Sequence, residues 1–171
     1  MRSVRYFAFA DPSGGSADSM SLAIGHREDD IVVLDALREI KPPFSPESVV
    51  GEFSALLKSY RVSNITGDRY AGEWPREHFR KHGIVYEPAQ KPKSDIYRDL
   101  LPAINSRKLD LLYDARLLTQ LVSLERRTAR GGRDSIDHPP NTHDDLANAI
   151  AGLCGCTRSK YAYDCSLSWV S

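Results

Sequence analysis

The chain has 171 residues, 41% of them hydrophobic and 27% charged, with 23 basic side chains balancing 23 acidic ones. That length holds one ordinary domain with a real core and leaves no room for two. Net neutrality excludes a surface that is basic throughout and drawn to nucleic acid on charge alone, so only a local basic stripe could do that work.

Residues 4–10, VRYFAFA, are aromatic, β-branched and apolar, and they stop at Asp-Pro-Ser-Gly-Gly, a strong turn signal. This run is too short and too soon broken to be a signal peptide, and no stretch approaches the length of a membrane span. Segments 19–26 and 30–40 predict two further strands, antiparallel neighbours of the first. Ser45 is a good N-cap, Pro46 suits the first helical position, and Val49, Val50, Phe53, Leu56, Leu57 and Tyr60 recur at helical spacing, predicting a helix to about Tyr60. Residues 62–68 predict a short buried strand. A helix over 73–83 follows, closed by Gly83, and then a strand over 84–89. Trp74 in that helix is expected to bury.

Ser94 opens the next predicted helix, 109–114 reads as a strand, and a helix from Ala115 carries Leu117, Leu118, Leu121, Val122 and Leu124 on one stripe. Residues 129–141, ARGGRDSIDHPPN, predict a hairpin or loop, and Arg130 and Arg133 there join Arg126 and Arg127 in a basic cluster. The chain then enters a small, apolar helix headed by His143, Asp144 and Asp145. Three strands, then strands alternating with helices, predict an α/β domain with a mixed central sheet and helices on both faces. Cys154, Cys156 and Cys165 lack the matching pair and nearby His of a zinc site, and an odd cluster suits a reducing compartment.

Asp11 and Asp68 each follow a predicted strand directly. If those strands are neighbours, the two carboxylates converge at one sheet edge, where open α/β sheets gather ligands. The Asp144/Asp145 helix is the natural third contributor. Three or four carboxylates stay close and ionised only with a compensating cation, and oxygen-rich sets select Mg²⁺ or Mn²⁺. Taken singly, Asp11 also reads as a turn former, and Asp144 and Asp145 as first-turn acids that match the helix dipole. Periodicity leaves open which of the pair faces the site. Asp144 shares a face with Ala147, Asn148 and Ala151, whereas Asp145 leans toward Ala149 and Ile150.

The blocks FADPSGG, ITGDRYAGEWPREHFRKHGIVYE, YRDLLPAINSRKLDLL, LLTQLVSLERR and HDDLANAIAG, in that order from about Tyr6 to Gly152, resemble the nuclease domain of the large terminase subunits of tailed bacteriophages. That resemblance implies an RNase H-like fold and a Mg²⁺- or Mn²⁺-dependent endodeoxyribonuclease with two ions. Its substrate would be concatemeric double-stranded viral DNA, cut during genome packaging. It places catalytic and metal-binding roles on Asp11, Asp68 and Asp144, with Asp145 as support or a further metal ligand. The related resolvase helix motif Asp-x-Leu-Ala matches Asp144 in register. His143 is implied as a ligand or as a donor behind the ligands. Implied partners are a terminase ATPase domain, the small terminase subunit and the portal, in the cytoplasm of an infected bacterial host. The P-loop of that ATPase, G-x-x-x-x-G-K-[ST], does not occur in the sequence, so residues 1–171 read as a nuclease domain alone. A Holliday-junction resolvase or transposase-like nuclease of the same fold, and a non-catalytic nucleic-acid-binding module, are the competing readings. Arg130 and Arg133 are the candidate DNA contacts.

Overall fold

Alternate residues of the first strand go to opposite apolar clusters, because successive side chains of a strand point to opposite faces. In the computed structural model, which describes residues 4–69, 72–128, 134–140 and 142–158, Phe9 enters one cluster while Ala8 and Ala10 enter the other. The elements run β1 (Tyr6–Asp11), β2 (Met20–Glu28), β3 (Ile31–Ile40), α1 (Pro46–Ser59), β4 (Asn64–Gly67), α2 (Trp74–Lys81), β5 (Val85–Pro88), α3 (Lys93–Asn105), β6 (Leu109–Asp110), α4 (Ala115–Ser123), β7 (Glu125–Thr128), β8 (Asp134–Asp137) and α5 (Asp145–Arg158).

Six strands form one mixed sheet in the order β5-β4-β1-β2-β3-β6. The first three strands are an antiparallel meander, and β4, β5 and β6 join its edges in parallel. Helices α1 and α2 cover the face that carries Ala8 and Leu22, with Val50, Phe53 and Phe79 at its centre. Helices α3, α4 and α5 cover the other face, where Phe9 meets Tyr97, Leu117 and Ile150. The expected fold class therefore holds. Among the described residues no helix is long and apolar enough to cross a membrane.

Helix α5 lies flat on β1. A Cβ at Gly152 would fall 2.3 Å from the Phe9 ring, so only glycine permits this approach. At the β2–β3 bulge between Ile24 and Gly25, His26 Nδ1 sits 2.6 Å from Asp35 Oδ2, and its Nε2 sits 3.3 Å from Glu28. The carboxylates outweigh burial, which opposes the charge, and hold the imidazole pKa above its ordinary value.

Four local expectations change. The strand expected over 109–114 is only Leu109–Asp110, because just Val32 and Val33 pair with it, and Asp114 turns to accept the Leu117 N–H as the N-cap of α4. The expected leucine stripe of α4 is split: Leu117 is buried and Leu121 and Leu124 pack against the core, but Leu118 is 55% and Val122 74% exposed, and the polar Gln120 joins the inner face. The residues after Leu124 leave the helix for β7, which pairs with β8 as a hairpin. Helix α3 starts at Lys93 with Pro92 as N-cap, and Ser94 Oγ instead accepts the Ile136 N–H from β8.

Candidate metal centre

The strands carrying the two expected acids are neighbours. β1 and β4 pair in parallel, with Phe9 opposite Thr66 and Ala10 opposite Gly67, and the Asp68 N–H donates to Ala10 O at 3.1 Å. Asp11 and Asp68 thus leave the same sheet edge side by side. The Tyr86 hydroxyl donates to Asp68 O at 2.8 Å, and its ring fills the space where a Cβ on Gly67 would stand. A glycine before Asp68 is therefore a packing requirement.

Three contacts bring the head of α5 to this edge. Ser21, the register partner of Asp11 on β2, donates its hydroxyl to Asp145 O at 2.7 Å. Gln120 Oε1 accepts the Leu146 and Ala147 N–H groups at 2.9 and 3.0 Å, filling the role of a side-chain cap from a different helix. Asn148, one turn into α5, donates Nδ2 to Asp68 Oδ2 at 3.2 Å and hydrogen-bonds Asp11 as well. Asn148 is fully enclosed, so this amide ties both strand-end acids to the helix.

The electrostatics follow from that crowding. Burial first, then the charges of Asp68 and Asp145, push the Asp11 carboxyl up to about 8 against the opposing effects of Asn148 and Lys93. Burial likewise raises the Asp145 carboxyl, reinforced by Asp144, Glu39 and Asp18 and opposed by His143. Oδ2 of Asp145 is buried and has no hydrogen-bond partner among the described residues. An orphaned, desolvated carboxylate oxygen is costly unless a cation meets it.

Asp144, 3% exposed, is differently placed. Lys93 Nζ donates to its Oδ1 and the Tyr97 hydroxyl donates to its Oδ2, each at 2.7 Å. Burial opposes the Lys93 charge, yet Asp144, Asp11 and Asp137 outweigh it and raise its pKa. Burial and the same carboxylates hold the Tyr97 phenol far above its usual range, so it stays a donor.

The cleft of about 340 Å³ in front of these groups is lined by Asp11, Asp18, Lys93, His138, His143, Asp144 and Asp145, with Trp74 on its wall. Trp74 packs against the apolar cluster under α1 and α2 as expected, but is only half-buried, and its ring stands edge-on to His78. His143 sits half-exposed at the rim with Nδ1 3.5 Å from Asp18. Arg130 and Arg133 lie outside the described residues, as does Tyr70.

Sequence reasoning missed Lys93, Asp137 and His138. His138 Nδ1 lies 2.9 Å from Pro139 O and so donates there, which leaves Nε2 facing Asp137 and Asp144 at 3.8 Å each. Asp137, His138 and Asp144 present ligand-type atoms within 4.8 Å of one another. Only the short interval between His138 and Asp144 hinted at this; Lys93 gave no local signal.

No protein-family model and no curated protein matches the chain. Solved structures do match its fold. The large terminase nuclease from thermophilic phage G20c with bound magnesium superposes with a TM-score of 0.76 at 18% identity, over 89% of this chain and 81% of that one. The nuclease domain of the large terminase subunit of bacterial virus Sf6, with manganese and beta-thujaplicinol, gives 0.67 at 12% identity over 87% of each chain. The HK97 bacteriophage large terminase gives 0.72 at 12% identity, over 91% of this chain and 40% of that longer one. The chain thus has the fold of phage large-terminase nuclease domains.

Proposed function

We propose that this chain is a divalent-metal-dependent endonuclease that cuts double-stranded DNA during phage genome packaging in the host cytoplasm, acting as one nuclease unit. The observation that carries the reading is the convergence of Asp11 and the head of α5 on one cleft, with Asp68 beside Asp11 at the sheet edge and tied to α5 by Asn148, and with Asp145 Oδ2 buried there without a partner among the described residues. An all-carboxylate oxygen set suits Mg²⁺ or Mn²⁺. The neighbours solved with magnesium, cobalt, zinc and manganese support the same class of ligand.

Asp11, Asp68 and one of the Asp144–Asp145 pair would hold the metal. Of that pair Asp145 has the oxygen to spare, so the direct role falls to it more readily than to Asp144. Two such ions would clamp the attacking and leaving oxygens of an in-line phosphodiester hydrolysis. The chain's own part is arrangement: Asn148 fixes the spacing of Asp11 and Asp68, while Gln120 and Ser21 fix the head of α5. Asp11 must give up its proton before it can act as a ligand.

DNA, the terminase ATPase domain, the small subunit and the portal are the partners this reading carries. Arg130 and Arg133 remain its DNA-contact candidates. The test is nicking of supercoiled plasmid with Mn²⁺ or Mg²⁺, its loss with chelator, and its abolition in Asp11→Asn and Asp68→Asn. Cleavage that survives either substitution refutes the site. Preference for four-way junctions over linear duplex would move the assignment to a resolvase.

A further inference from the structure

We propose that Lys93 is a catalytic group that contacts a non-bridging oxygen of the scissile phosphate, and that Asp144, rather than holding metal, aims it. This rests on the metal-nuclease reading above. The two carboxylate oxygens of Asp144 are already engaged, Oδ1 by Lys93 Nζ and Oδ2 by the Tyr97 hydroxyl. With Lys93 balancing its charge and a donor already on each oxygen, Asp144 draws a further cation less than Asp145 beside it, which has a buried oxygen with no partner among the described residues.

Lys93 is placed to act outward. It is the first residue of α3, its side chain is 27% exposed, and it lines the same cleft as Asp11 and Asp145. An ammonium carries three donors, and Asp144 is its one hydrogen-bond partner among the described residues. The others are available to an incoming phosphate. Stability alone is a poor reason for this arrangement, since the desolvation cost of a buried pair offsets most of its attraction. A fixed cation beside a reacting phosphate is different: it is preorganised and needs no reorientation as charge develops. Tyr97 locks the far oxygen of Asp144, which fixes the direction of Nζ.

Four variants test the assignment by plasmid nicking and by calorimetric Mn²⁺ binding. Lys93→Met should keep or tighten Mn²⁺ binding, because a competing cation leaves the acid cluster, while turnover falls on the order of 100-fold. Lys93→Arg should recover about a tenth or more of that loss, since the charge and donors return. Asp144→Asn should bind Mn²⁺ and cut slowly, whereas Asp145→Asn should lose both. Cutting by Lys93→Met within about threefold of the parent overturns the proposal, as does loss of Mn²⁺ binding in Asp144→Asn. If Lys93→Met does not fold, Lys93→Gln takes its place; failure of both to fold makes Lys93 a structural partner and sinks the idea. A parent chain that binds no Mn²⁺ refutes the metal-nuclease reading itself, a result distinct from all of these.

Discussion

Replacing Gln120 with Met removes the cap on α5 while nearly conserving volume. Gln120 is 5% exposed, and its Oε1 is the acceptor for both the Leu146 and Ala147 N–H groups. Each buried donor left without a partner costs about 1–3 kcal/mol. Against that, Gln120 Nε2 is itself buried and has no partner among the described residues, so its removal returns about 1 kcal/mol. The net loss is then about 1–5 kcal/mol, and for a domain of this size that lowers the melting temperature by roughly 3–15 °C. The damage is local to the turn bearing Asp145, so Mn²⁺ affinity should fall along with stability. Scanning calorimetry and Mn²⁺ titration measure the two effects. Val122→Ala, on the exposed side of the same helix, is the control and should shift stability by less than about 0.5 kcal/mol. A Gln120→Met protein that melts within about 1 °C of the parent and binds Mn²⁺ equally well would falsify the role of this side chain in holding the site.

Gly152→Ala pits helix propensity, a gain of about 1 kcal/mol, against a Cβ placed 2.3 Å from the Phe9 ring. Overpacking costs about 1–3 kcal/mol and wins, so urea unfolding should show a lower midpoint; a higher one contradicts the packing described. Mn²⁺ binding at neutral pH should release about one proton, because the Asp11 carboxyl is pushed up to about 8 and must ionise to act as a ligand. Binding heats that do not vary between buffers of different ionisation enthalpy would speak against this. For His26, the folded pKa lies above the unfolded 6.5, so its clamp between Asp35 and Glu28 stabilises the fold fully below that value. The contribution is lost as pH rises through the folded value, and His26→Gln should flatten that part of the stability curve. An unchanged curve would show that the clamp is not coupled to folding.

Local chemistry made most of the fold legible. The turn after Asp11, the Ser45-Pro46 helix start and Gly83 at a helix end all act within a few residues, and each expectation held. Asp11 and Asp68 were visible as acids at strand ends, and their adjacency needed only that two strands pair. What could not be read depends on distant partners. Apolar periodicity in α4 identified a helix and its Leu117, Leu121 and Leu124 contacts but drew the inner face too wide, because the remaining buried position is polar Gln120, whose acceptor serves another helix. The strand at Leu109 ended early because the chain leaves β3 after Asp110 to reach Asp114, the cap of α4. The engagement of Asp144 by Lys93 and Tyr97 crosses between two helices, so spacing within HDD could not separate Asp144 from Asp145.

Helix α5 follows every other described element in the chain, yet it packs on β1, the first. During synthesis at about 5–20 residues per second, the strands bearing Asp11 and Asp68 emerge seconds before the helix that completes their cleft. A nascent chain therefore holds two acids without the third, and under the proposed function it cannot assemble the full cation site or cleave until translation has passed Asp145. The same delay leaves bare the part of the Phe9 face that α5 covers, so the interval before the site is complete is also when the unfinished chain most needs shelter from aggregation.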